Sequence, residues 1–187
     1  IHNICQNCTI SEVNTFDHYL PKELFPDFAV NPKNLVPSCG LCNGRKSTNW
    51  REQGKRLFIN PYLDKLPKEQ ILFASIHVTN KSDLKITFEV DNRNGIPADL
   101  YHMIAHHYSK LGLCTRFSEN CETTINGVSQ ELAKYVGKLS LNEVRKTIIE
   151  NAQESRDTFG HNHYAYILEE ALAKSDDFIK HYAGFDI

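Results

Sequence analysis

Residues 39–46 read CGLCNGRK. Two cysteines separated by two residues form a knuckle that turns both thiols toward one point. A second knuckle, CQNC, stands at residues 5–8. Four thiolates in paired C-x2-C spacing satisfy a tetrahedral Zn2+ ion completely. A closed shell of Cys5, Cys8, Cys39 and Cys42 leaves no position for water, so the expected zinc is structural and not catalytic. It supplies folding energy to a segment too small and loop-rich to hold itself together. Four reduced thiols in an ordinary core would have no need of the paired spacing. Reduced thiolates also suit a reducing compartment, and a cytoplasmic location is expected.

The cluster dictates what lies beside it. Between the knuckles, TFDHYL (15–20) reads as a short strand and NLVPS (34–38) as a second strand or its end. From Cys42 to about Lys55 only Gly44 disfavours a helix, so this stretch reads as helical. Closing the cluster forces the Asp-His strand against the start of that helix. Asp17, His18 and Asn43 then share one neighbourhood, and Lys46 falls on the helix face of Asn43, three residues on. Asp17 and Asn43 offer hard oxygen ligands, which suit Mg2+ or Mn2+. A histidine that is neutral near pH 7 can take a proton from water. One metal, one base and one cation make a kit for phosphodiester hydrolysis. Adjacent strand residues point to opposite faces, however. Asp17 and His18 share a site only if it wraps the strand edge or if Leu20-Pro21 ends the strand there.

These residues resemble the HNH endonuclease family, the ββα-metal or His-Me finger fold. The match runs through CQNC, TFDHYLPKE, NPKNLVP and CGLCNGRKST, about residues 4–48, with D-H-x-x-P, N-L and C-x-x-C-N-x-x-K in family order and spacing. The resemblance implies that His18 is the general base, that Asp17 and Asn43 hold the catalytic ion, and that Asn34 orients His18 or its loop through hydrogen bonds. Asn rather than His at position 43 keeps an all-oxygen site, favouring Mg2+ or Mn2+ over zinc or nickel. Lys46 is expected to touch a phosphate or steady the leaving oxygen. The motif match does not extend past residue 60, but the chain as a whole resembles the stand-alone HNH proteins that bacteria encode beside ATPases in anti-phage systems such as Septu. These resemblances imply DNA, double- or single-stranded, as substrate and an ATPase subunit as partner.

The rest of the chain agrees with an α+β protein. Residues 1–60 form the nuclease module, and 61–187 a hairpin followed by a helical accessory region. Net charge is −2, but residues 1–60 carry seven Lys and Arg against five Asp and Glu, whereas the remainder is net acidic. Any nucleic-acid surface is therefore expected in the first third. Arg45, Lys46, Arg51, Lys55 and Arg56 would give the 42–55 helix a basic face for a DNA backbone. Trp50 reads as core. ILFASIHVT (71–79) and LKITFEVD (84–91), joined by turn residues, read as a hairpin. Helices are expected over 97–111, 118–137, 140–157 and 161–181, with SLNE at 140–143 as a capping box. An apolar stripe of Ile167, Leu168, Ala171, Leu172 and Phe178 marks the last helix. His102, His106 and His107 read as polar or packed helix residues, and Cys114 and Cys121 as buried thiols. The longest apolar run, ILFASIHV, is strand-sized, so no membrane contact is expected. The competing reading is a non-catalytic, zinc-stabilised subunit that binds nucleic acid or protein. Asp17, His18 and Asn43 argue against it, because a scaffold needs none of them.

Overall fold

The computed structural model describes residues 3–80 and 83–182. The chain is mixed α+β and divides into two compact units. The first unit comprises Ile1–Pro67 and Gly95–Leu113, the second Lys68–Asn94 and Cys114–Ile187. This differs from a cut after residue 60, because residues 95–113 return to the first unit. His106 shows why: its Nδ1 lies 3.0 Å from the Leu57 carbonyl, and its ring meets the buried Phe58 edge-on at 5.4 Å.

In the first unit, β1 (Thr15–His18) pairs antiparallel with β2 (Leu35–Ser38), with Thr15 opposite Ser38 and His18 opposite Leu35. The connection contains two single turns of 3-10 helix, Pro26–Phe28 and Pro32–Asn34, each opened by a proline whose fixed φ suits a first helical position. Helix α1 (Gly40–Lys46) follows directly and packs on β1. A small hairpin, β3 (Arg51–Glu52) with β4 (Lys55–Arg56), comes next. Helix α2 (Ala98–Leu111) completes the unit, with Pro97 at its start and Gly112 as its left-handed cap.

The long helix expected over 42–55 is not formed. It stops at Lys46, where Ser47 takes φ 52° and Asn49 Nδ2 donates to the Lys46 carbonyl. Gln53 and Gly54 both have positive φ and make the β3–β4 turn. The absence of a strong helix breaker was thus outweighed by local turn chemistry.

The second unit is built on β5 (Leu72–Asn80) and β6 (Asp83–Val90), antiparallel with Leu72 opposite Val90 and an irregularity between Val78 and Asn80. The helices are α3 (Leu113–Glu119), α4 (Glu122–Tyr135), α5 (Leu141–Phe159), α6 (Tyr164–Lys174) and α7 (Asp176–Tyr182). Helix α6 lies at the centre and packs on β5, α4, α5 and α7. Its apolar stripe is internal: Ile167, Leu168, Leu172 and Phe178 are at most 2% exposed. Phe117 stacks on Tyr164 at 4.5 Å and meets Phe88 edge-on. The Ser140–Glu143 capping box forms. The single helix expected over 161–181 breaks at Ser175, whose Oγ accepts from Phe178 N and so starts α7. The one expected over 118–137 is replaced by α3 and α4, divided after Glu119. Among the described residues no helix is long and apolar enough to cross a membrane.

Two glycines give opposite expectations. At Gly112 (φ 62°) a Cβ would fall 2.3 Å from the Arg45 guanidinium, which donates to the Leu111 carbonyl. Gly112→Ala is expected to cost about 1–3 kcal/mol through backbone strain and displacement of Arg45. Gly127 lies inside α4 with no atom within 4 Å of a Cβ. Gly127→Ala is expected to gain up to about 1 kcal/mol. Thermal unfolding of both variants checks the opposite signs.

Candidate functional site

The four knuckle cysteines are brought to one point. Their sulfurs all lie within 4.8 Å of one another, and Cys8 Sγ stands 4.0 Å from Cys39 Sγ. A tetrahedral zinc with bonds of about 2.3 Å spaces its sulfurs at roughly 3.8 Å. The cluster can therefore hold a zinc ion with small adjustment, whereas a disulfide would need sulfurs about 2 Å apart. The first knuckle closes through Thr9 N donating to the Cys5 carbonyl, with Thr9 at φ 54°. Asn7 Nδ2 donates to Ser38 Oγ at 2.6 Å, tying that knuckle to the end of β2. A hydrogen bond with Cys42 is the chief cause that holds the Cys8 thiol far below its ordinary value, which favours the thiolate a metal requires. His107 packs behind the first knuckle, its Nε2 3.3 Å from the Asn7 carbonyl. Burial pushes it down to about 4, so it is neutral.

Beside the cluster lies an open cleft of about 620 Å³. Asp17, His18 and Asn43 all border it. Asp17 points inward and is 3% exposed. His18, half-buried, turns the other way, and its Nε2 lies 3.0 Å from the Ala29 carbonyl. A carbonyl oxygen only accepts, so in the neutral ring Nε2 carries the proton and Nδ1 keeps its lone pair. Asn34 is buried under the same loop. Its Oδ1 accepts from Leu20 N at 2.7 Å, and its Nδ2 donates to the Leu20 and Phe28 carbonyls at 3.1 Å. It therefore holds the loop that presents Ala29 to His18. Asn43 Nδ2 donates to Thr15 Oγ1 at 3.1 Å, which turns its amide oxygen away from Thr15.

Lys46, expected at a phosphate or the leaving oxygen, is instead turned inward and does not line the cleft. It is 2% exposed, with Nζ 3.0 Å from Asp17 Oδ1 and 2.7 Å from the His18 carbonyl. One ammonium thus braces the carboxylate and the backbone of the adjacent histidine. Burial pushes the Asp17 carboxyl up, opposed by the Lys46 charge. The expected basic helix face is also absent. With the helix ended at Lys46, Arg45 caps α2 through the Leu111 carbonyl, Lys55 pairs with Asp99, and Arg56 pairs with Asp64. Trp50 is half-buried against the edge of Phe25 at 5.0 Å.

The cleft contains residues that pattern reading passed over. Phe16 and Lys22 line it, as does Ser47 in its positive-φ conformation, which favours glycine. The two-residue period of a strand relates Thr15 to Asp17 and Phe16 to His18, and was the available signal.

No protein-family profile matches the chain, and no solved structure does. Two curated proteins are similar along nearly all of it. Protein ea31 of Escherichia phage lambda is 27% identical over 189 residues, covering 94% of this chain and 63% of its own. Septu protein PtuB of Bacillus thuringiensis is 27% identical over 180 residues, covering 92% and 64%. The chain thus spans a little under two thirds of the length of these relatives. The similarity to PtuB and the four-cysteine cluster fit a Septu-like protein.

Two outcomes are expected at this site. Purified protein should carry about one zinc per chain by elemental analysis, and Cys39→Ser should lose both the metal and the fold of the first unit. Normal melting of a zinc-free preparation would rule this out. Lys46→Met should cost about 3 kcal/mol, because it leaves the buried Asp17 carboxylate without its counter-charge. Thermal denaturation should register this as a fall of roughly 6–12 °C.

Proposed function

We propose that the chain is an HNH endonuclease of the ββα-metal type that hydrolyses DNA with a divalent cation. The carrying observation is that His18, Asp17 and Asn43 border one cleft while the Ala29 carbonyl leaves His18 Nδ1 as the lone-pair nitrogen. The β1–β2–α1 order supports the fold assignment.

The donor set fits Mg2+ or Mn2+. Asp17 keeps a second carboxylate oxygen beyond the one paired with Lys46, and Asn43 has its amide oxygen turned from Thr15. The bound ion would polarise the scissile phosphate and stabilise the leaving 3′ oxygen. His18 Nδ1 takes a proton from water as the water oxygen bonds to phosphorus and the P–O3′ bond breaks. The leaving O3′ takes a proton from solvent water, and the products are a 5′-phosphate and a 3′-hydroxyl. Asn34 and the Ala29 carbonyl keep the imidazole aimed, and Lys46 keeps Asp17 in place. Lys46 acts from inside the module rather than on the phosphate.

The likeness to Septu protein PtuB supports a role in anti-phage defence with a partner from the same system. The partner proposed is an ATPase subunit, and the proposed location is the cytoplasm. The likeness to a phage lambda protein shows that related chains are encoded by phage as well.

The test is incubation of plasmid and of linear DNA, single-stranded and duplex, with the protein in Mg2+, Mn2+ or EDTA. Cleavage is expected only with the added ion. His18→Ala should lower the rate by about 10²–10⁴-fold with zinc content and melting unchanged. Cleavage by His18→Ala at the wild-type rate would remove the histidine from the mechanism.

A further inference from the structure

Phe16 is 59% exposed, although it stands in a paired strand. It lies two residues before His18, so both side chains leave the same face of β1. Across the ladder it faces Pro37, and it forms part of the cleft wall that also carries His18. Asp17, the residue between them, is turned into the protein and held by Lys46. The chain therefore places a bare phenyl ring about two strand residues, roughly 7 Å, from the proposed base.

We propose that Phe16 is a substrate-positioning residue that stacks on an unpaired nucleobase next to the scissile phosphate, so that the cleft selects single-stranded nucleic acid. The inference rests on the nuclease reading of the cleft and names its substrate class. A phenyl ring has no charge and no hydrogen-bond donor with which to hold a phosphate. What it can hold is a flat apolar face, and every base has one. In a duplex those faces are covered by neighbouring bases and become available only at a cost in unstacking. In a single strand or loop they are open.

The charges agree. Lys22 is the basic side chain on the cleft wall, where Glu23 opposes it. Lys46 is buried against Asp17, Arg56, Lys55 and Arg45 are engaged with Asp64, Asp99 and the Leu111 carbonyl, and Arg51 lies over the Trp50 ring, outside the cleft lining. Binding to a duplex backbone typically draws on many phosphate contacts. This cleft provides few, so stacking has to supply more of the affinity.

The experiment uses the full chain carrying His18→Ala, so that binding is read without cleavage. Fluorescence anisotropy is measured with a labelled mixed-sequence DNA oligonucleotide, single-stranded and annealed to its complement. The single strand should bind more tightly than the duplex. Adding Phe16→Ala should weaken single-strand binding roughly tenfold, the size of one lost base stack, and change duplex binding little. Phe16→Trp should restore the affinity, and its fluorescence, above the Trp50 background, should be quenched by the single strand. Equal single-strand affinities with and without the Phe16→Ala substitution would overturn the proposal. So would an unquenched Trp, as expected if a protein partner covers this face instead. If the wild-type chain cuts no DNA but Phe16→Ala still weakens single-strand binding, the stacking site stands and the nuclease reading fails.

Discussion

Four sulfur atoms within 4.8 Å of one another join the chain at residues 5–8 to the chain at 39–42, and the first unit depends on that junction. The segment between consists of one two-stranded sheet and two short 3-10 turns, with Phe16, Leu24, Phe28 and Val30 exposed. Such a segment buries too little apolar surface to offset the entropy of ordering it. A metal-sized thiol cluster replaces the missing core. Because Cys39 is the residue before α1 and Cys42 lies within it, the cluster also fixes where the helix starts and which face meets β1. Asn43 reaches Thr15 as a consequence.

A second constraint acts within this frame. Asp17 and His18 are adjacent in a strand, and each needs a different kind of support. Asp17 faces inward, where an unpaired carboxylate would be costly, and Lys46 answers that charge at 3.0 Å. The same ammonium donates to the His18 carbonyl, so the two residues are held in register by one buried cation. The His18 ring, on the other side, is steadied by the Ala29 carbonyl, and the loop bearing Ala29 is held by three hydrogen bonds of Asn34. Asp17, the His18 ring and Asn34 are thus partnered from inside, and Lys22 is the lysine on the cleft wall.

Much of the candidate site could be read from residue order. The paired knuckles, the Asp-His dipeptide, Asn34, Asn43 and Lys46 stand at short, fixed separations, and a metal-closed loop turns such separations into proximity. The capping box at Ser140 and the β5–β6 hairpin were legible because their signals are local. The failures came where local signals were weak or divided. Residues 47–56 carry no strong breaker, yet Ser47 and Gln53 adopt positive φ and exchange the expected helix for a hairpin. The basic stripe expected on that helix was lost with it. Ser175 marked a helix boundary by its side-chain hydrogen bond, which competes with helix continuation only when the following turn can use it.

The sequence by itself determined the four-cysteine cluster, a set of candidate site residues and the strand–strand–helix order around them. Cysteine spacing and strand or turn propensity act over a few residues, and so they survive without the fold. Only the tertiary structure decided which of these residues face solvent. Whether Lys46 meets a phosphate or the buried Asp17, whether Phe16 is core or cleft wall, and which carbonyl assigns the His18 proton all depend on contacts between residues 11 to 29 positions apart. The tertiary structure also returned residues 95–113 to the first unit, through hydrogen bonds from His106 to Leu57 and His107 to Asn7. Such contacts are set by packing and by the need to pair every buried charge, and no local pattern in the chain encodes them.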